Sequence, residues 1–122
     1  MADDPHPVDP EAVSTARASG ISQTEADDLH DLLNLIGEPV RARVLAALVA
    51  AQELCVGDVA LALDISQDAA SYALRVLREQ GLVQRRTEGR MGFYRLADGP
   101  RREPLRNAVE RLAQLTRVTE PP

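Results

Sequence analysis

Lysine and tryptophan are absent from this 122-residue chain, cysteine occurs once, and only three side chains are aromatic, Tyr72, Phe93 and Tyr94. Each shortage narrows what the chain is. With so few aromatics, the core must be built from Leu, Val, Ile and Ala, as in a small helical domain, and 44% hydrophobic residues suffice for one compact domain with loose ends. A lone cysteine, Cys55, excludes an internal disulfide and leaves a thiol or thiolate to explain. No apolar run is long enough to cross a bilayer, and the acidic N-terminus does not resemble a signal peptide, so a soluble cytoplasmic protein is expected. Catalytic groups are scarce too. There are two histidines, His6 and His30, no nucleophile–base pair in a recognisable motif and no phosphate-binding glycine loop. Neither an enzyme nor an organic cofactor is expected.

What is present is arginine, unevenly spread. The formal net charge is −5, which alone argues against a polyanionic partner. The acids, however, are concentrated in residues 1–40, where Arg17 is the single base. Residues 71–102 carry eight arginines against Glu79, Glu88 and Asp98. Salt screens charges beyond roughly 8–10 Å, so a local basic patch matters more to nucleic acid than the total. The same patch also fits a solvated arginine face with no partner.

Hydrophobic spacing gives the elements. Residues 1–20 hold acids and prolines with few large apolar groups, and read as a disordered acidic tail. Ser22 and Glu25 form a capping-box pair that starts a helix, along which Leu29, Leu32, Leu33 and Ile36 share one face. Gly37 ends it. Pro39 opens a second helix with Val40, Val44, Leu45 and Leu48 inward. A short third helix spans Val56 to Leu63, and Asp64-Ile65-Ser66 makes a tight turn. Ser66 caps a fourth helix to about Gln80, with Ala70, Ala73, Leu74 and Leu77 inward and Gly81 as its left-handed exit. Val83 to Thr87 and Phe93 to Leu96 are strand-like and flank a turn over 88–92. A last helix from about Pro104 carries Leu105, Val109 and Leu112, with Leu115–Thr116 continuing the face. The ordered region is placed at 21–118, with a frayed end at 119–122.

Two short helices joined by a tight turn and followed by a two-stranded ribbon describe a winged helix-turn-helix, a mainly α fold with a small β-hairpin wing. In such units the second helix enters the major groove and presents its N-terminal half to base edges. Here that half offers Gln67, Asp68, Ser71, Tyr72 and Arg75, while Arg85, Arg86 and Arg90 lie on or beside the ribbon tip. Gln reads adenine, and Arg reads guanine or clamps a phosphate. Asp68 suits the positive helix N-terminus or a cytosine amino group.

From Leu33 to Leu96 the chain resembles the ArsR/SmtB family of metal-responsive repressors. Ile36-Gly37-Glu38-Pro39-Val40-Arg41 looks like the opening of the family's second helix, and Glu53 to Ala60 like its metal-box segment. Ser66 to Leu77 with Gly81-Leu82-Val83 is similar to the recognition helix and its exit, and Gly89-Arg90 with Tyr94-Arg95-Leu96 to the wing. Asp64, where glycine is frequent, and Tyr72, where many members have histidine, depart from the pattern. The resemblance implies a homodimer through the first and last helices, with two recognition helices about one turn apart on palindromic operator DNA.

It also implies a metal site. Cys55 and Asp58, spaced i and i+3, fall on the family's third-helix site, whose ligand set an N-terminal arm completes. Here the arm offers His6, Asp3, Asp4, Asp9 and Glu11, and the first helix offers His30 with Asp27 one turn earlier. Such a mixture of nitrogen, oxygen and one sulfur suits nickel or zinc. The family's last-helix site is lost: Asp98 matches its first position, but Pro100, Arg111 and Gln114 occupy the others. Each residue also has a plain structural use: Cys55 as core, Asp58 as a cap or solvated acid, His30 on a polar face, His6 in the tail. A DNA-binding transcription regulator controlled by nickel or zinc is therefore expected. The alternatives are a regulator with no metal effector and a winged helix that binds another protein.

Overall fold

The computed structural model describes residues 6–117. Asp3, Asp4 and the 119–122 end lie outside them. In chain order the elements are α1 (Pro10–Ser19), α2 (Gln23–Gly37), α3 (Pro39–Ala51), β1 (Leu54–Cys55), α4 (Val56–Leu63), α5 (Gln67–Glu79), β2 (Val83–Glu88), β3 (Met91–Leu96) and α6 (Arg102–Thr116). The chain divides into two units, one ending at Leu32 and the other beginning at Leu33.

In the first unit, α1 stands where composition predicts a tail without regular structure. Its cause is local. The Asp9 carboxylate accepts a hydrogen bond from the Ala12 N–H at 3.0 Å, and Pro10 occupies the first turn, where no N–H is needed. None of its residues is buried. The capping box ahead of α2 forms as expected: the Glu25 N–H donates to the Ser22 hydroxyl at 3.1 Å, and the Ser22 N–H donates to the Glu25 carboxylate at 2.9 Å.

The second unit holds the core. Val44, Leu45 and Leu48 of α3, Val59 and Ala60 of α4, the inner face of α5, and Leu82, Val83, Leu96 and Leu105 are all buried, and α3 packs against α4, α5, β3 and α6. Glu38 caps α3, accepting from the Val40 and Arg41 N–H groups at 3.1 and 2.9 Å. Arg41 donates back to the Leu35 carbonyl at 2.6 Å, closing the orphan C-terminal end of α2. Ser66 caps α5 through the Ala69 N–H at 3.0 Å. Asp64 carries the turn between α4 and α5 in the left-handed conformation, at φ 54°, which a short polar side chain tolerates. Helix α6 begins before Pro104, whose missing N–H costs nothing in a first turn.

The wing is longer and tighter than the spacing predicts. Glu88 pairs with Met91, leaving only Gly89-Arg90 in the turn, with Gly89 at φ 61° as a primed hairpin turn requires. The short strand β1 is an addition. It pairs Leu54 with Tyr94 and Cys55 with Phe93, making an antiparallel sheet of order β1-β3-β2.

Alternation along the hairpin sorts its side chains into two faces. Val83 and Leu96 are paired and buried, so Arg85, Thr87, Gly92 and Tyr94 continue their face outward from the core. Gln84, Arg86, Glu88, Met91, Phe93 and Arg95 take the other face.

Candidate nucleic-acid interface

Helix α5 is held by four apolar side chains on one face: Ala70, Ala73, Leu74 and Leu77 are all buried. Its opposite face is therefore fixed in direction and entirely polar apart from the ring of Tyr72. Gln67, at its first position, is exposed. Asp68, Ser71, Tyr72, Arg75 and Arg78 line an open concavity together with Tyr94 of β3. The Arg75 guanidinium lies 5.2 Å from the centre of the Tyr72 ring and 4.0 Å from Glu79, with most of its side chain in solvent. On the wing, Arg85 lies over the Tyr94 ring at 5.9 Å. Recognition helix and wing thus present one continuous surface with Tyr94 at the join.

The other wing face does something different. Arg86 donates through Nε at 3.0 and 2.9 Å and through Nη2 at 2.6 Å to the Glu53 carboxylate. Its Nη1 donates to Glu88 at 2.9 Å, and the group covers the Phe93 ring at 4.7 Å. Arg86, expected at the DNA, pairs in the free chain with two carboxylates on the face away from Tyr94 and ties the wing to the segment before β1. Asp98 forms a second latch. It accepts from Arg95 at 2.6 Å, Arg102 at 3.3 Å and Gln84 at 3.3 Å, and its own N–H donates to Gln84 at 2.8 Å. Among the described residues Arg78, Arg85 and Arg90 form no ion pair, so positive charge is left for an outside anion beside α5 and at the wing tip.

Two contributors escape the spacing argument. Arg78 follows Arg75 by three and Ser71 by seven residues, a helical repeat that marks it as sharing their face. Tyr94 becomes placeable only once its pairing with Arg85 is known.

The latches have a pH signature. Hydrogen bonds from Arg86 hold the Glu53 carboxyl below its ordinary 4.5, and hydrogen bonds from Arg95, then Gln84, hold Asp98 below 3.8. Carboxyls lowered by folding contribute stability above their unfolded values and lose it as pH falls through the folded ones. The thermal midpoint should therefore drop as the pH is lowered through and below the ordinary values of 4.5 and 3.8. Glu53→Gln should flatten that drop in a calorimetric series, and an identical profile would remove Glu53 from the account.

The expected metal donors do not come together. Cys55 is not on the helix with Asp58. Its backbone is extended (φ −80°, ψ 164°) because it pairs with Phe93, and its side chain is buried while Asp58 is exposed in the first turn of α4. His6 is exposed ahead of α1, and His30 is exposed on α2. Asp27 accepts from Gln23 at 3.0 Å. Among the described residues no three His, Cys, Asp or Glu side chains gather into a group able to hold an ion. Zinc takes at least three protein ligands, and the described part of one chain assembles no such set.

Three helices around a buried Leu/Val core, a capped recognition helix and a hairpin define a winged helix-turn-helix module. Residues 38–85 match the family model described as bacterial regulatory protein, arsR family. The chain is 40% identical over 88 residues to the transcriptional repressor SmtB homolog of Synechocystis, a match covering 72% of this chain and 66%, just under two thirds, of that protein. It is similar in structure to the transcriptional regulator HlyU from Vibrio vulnificus CMCP6, at 30% identity and TM-score 0.66, over 76% of this chain and 92% of that one. A homodimeric winged helix-turn-helix DNA-binding domain from Mycobacterium bovis, a possible ArsR-family regulator, matches at 25% identity and TM-score 0.59 over 80% and 89% of the two chains. The chain belongs to the ArsR/SmtB family of winged helix-turn-helix transcriptional regulators, a family of regulators and not of enzymes. Among the described residues no helix is long and apolar enough to cross a membrane.

Proposed function

We propose that this protein is a transcriptional repressor that binds palindromic operator DNA as a homodimer. What carries the reading is the single surface formed by the polar face of α5 and the outward face of the hairpin. Its cations, Arg78, Arg85 and Arg90, have no internal ion-pair partner among the described residues, and its helix face offers Gln67, Ser71 and Arg75 as hydrogen-bonding groups. A major groove about 12 Å wide admits such a helix, and the wing then lies along the backbone. Dimer formation is supported by an apolar groove of about 310 Å³ lined by Leu33, Ile36, Leu45, Val109 and Leu112, and by the homodimeric state of the Mycobacterium bovis relative. Nickel or zinc control, the effector expected from the sequence, finds no assembled donor set within the described part of one chain, so the reading names no effector.

Substitutions should separate the two jobs of the surface. Arg78→Ala and Arg90→Ala should weaken binding to every duplex alike and lower the slope of log K against log salt by about one unit for each arginine removed. Gln67→Ala and Ser71→Ala should instead reduce discrimination between sites, by about 1–3 kcal/mol for each base no longer read, with little change in slope. Fluorescence anisotropy on matched and mismatched duplexes reads both. Unchanged binding in all four variants would point to a protein partner in place of DNA.

A further inference from the structure

Gly92 sits inside a strand, where glycine weakens pairing and offers nothing to pack. Its backbone does not demand glycine, since the positive φ values belong to Gly81, Gly89 and Gly99. What it lacks is space: a Cβ built there would fall on the Nε, Nη2 and Cζ atoms of Arg85. Gly92 pairs with Thr87 and lies on the same face as Arg85 and Tyr94. The Arg85 guanidinium is thus laid across the bare backbone of Gly92 and over the Tyr94 ring, and Tyr94 itself lines the concavity of α5.

We propose that Gly92 is the seat of Arg85, holding its guanidinium beside the recognition helix as a preformed contact for a DNA phosphate. The inference rests on the DNA-binding reading above and adds a positioning residue to it. An arginine loses much rotamer freedom when it is fixed on a ligand, and fixing it beforehand removes that cost from binding. The neighbouring Arg86 shows why the seat matters: alternation turns it to the other face, where Glu53 and Glu88 neutralise it. Arg85 has no ion pair among the described residues, so its charge remains available. Tyr94 contributes the ring face on which the cation rests, an attraction of the cation–π type.

The test is a double-mutant cycle on duplex binding. Gly92→Ala leaves the backbone unstrained and collides only with the mobile end of one side chain, so the fold should survive. Circular dichroism at the binding temperature checks this. Arg85→Ala should weaken binding about tenfold, as removal of a charged hydrogen bond does. Gly92→Ala should weaken it several-fold in the wild-type background and leave it unchanged when Arg85 is already alanine, because the two act through one contact. Tyr94→Phe, which keeps the ring, should bind as wild type. Wild-type affinity in Gly92→Ala, or an equal loss with and without Arg85, would overturn the seat while leaving DNA binding intact. Failure of the wild type to bind any duplex would overturn the DNA reading, and the seat with it.

Discussion

Leu112→Glu should convert the protein from a dimer to a monomer in sedimentation at micromolar concentration without unfolding it. Leu112 is 43% exposed and Leu33 47% exposed, and both border the apolar groove between α2, α3 and α6. In a single chain the new carboxylate would reach water, so the core should not register it. In a dimer that covers the groove, each copy would bury an unpaired charge, at a cost of order 3–5 kcal/mol. Two such charges exceed what a small interface gains from its apolar contacts. The monomer should also lose its hold on the second half-site, and linked binding of two half-sites contributes roughly 10²–10⁴ in affinity. Dimers of Leu112→Glu at wild-type concentration would move the interface elsewhere on the molecule.

Leu74→Ala should have the largest effect on stability. Leu74 is 0% exposed and is the apolar anchor of α5, beneath the face that carries Ser71 and Arg75. Truncating a buried leucine costs about 2–5 kcal/mol, depending on how far the surroundings collapse. Small domains have only about 5–15 kcal/mol in total, so a drop in thermal midpoint well above ten degrees is expected. DNA binding should disappear in proportion to the unfolded fraction and return on cooling. Tyr72→Ala makes the contrast. Its ring is 57% exposed and lies on the outward face, so stability should stay within about 0.5 kcal/mol while the contact surface changes. Equal melting curves for Leu74→Ala and wild type would mean that α5 is not oriented by that core.

Local signals are strong in this sequence, and they locate the helices. Ser22 with Glu25, Ser66 before α5 and Gly81 after it are bonds and turns between near neighbours in the chain, legible without tertiary context. The inward stripe of α5 follows helical periodicity and is buried as expected. The wing is harder to read, because strand register is set by long-range pairing. Placing Arg85 and Arg86 together at the tip overlooks the alternation that sends adjacent residues to opposite faces, and Glu53, 33 residues before Arg86, carries no local mark as its partner. The same pairing explains Cys55: a two-residue strand is too short for any periodicity, yet it draws the thiol into the sheet and away from Asp58. Helix α1 is hidden by composition, since acids and prolines also occur in its cap and first turn. The apolar faces of the first and last helices are legible from spacing alone, and the exposure of Leu33 on α2 and of Leu112 and Leu115 on α6 accords with the dimer surface expected there.

The most direct test of the central claim is wild-type binding to the DNA upstream of its own gene, followed by footprinting and by anisotropy across salt concentrations. The expected result is protection of a palindrome with half-sites about 10 base pairs apart, by a dimer whose affinity falls steeply with salt and is much weaker on a scrambled duplex. Binding that is absent, or that is indifferent to both salt and sequence, would contradict it.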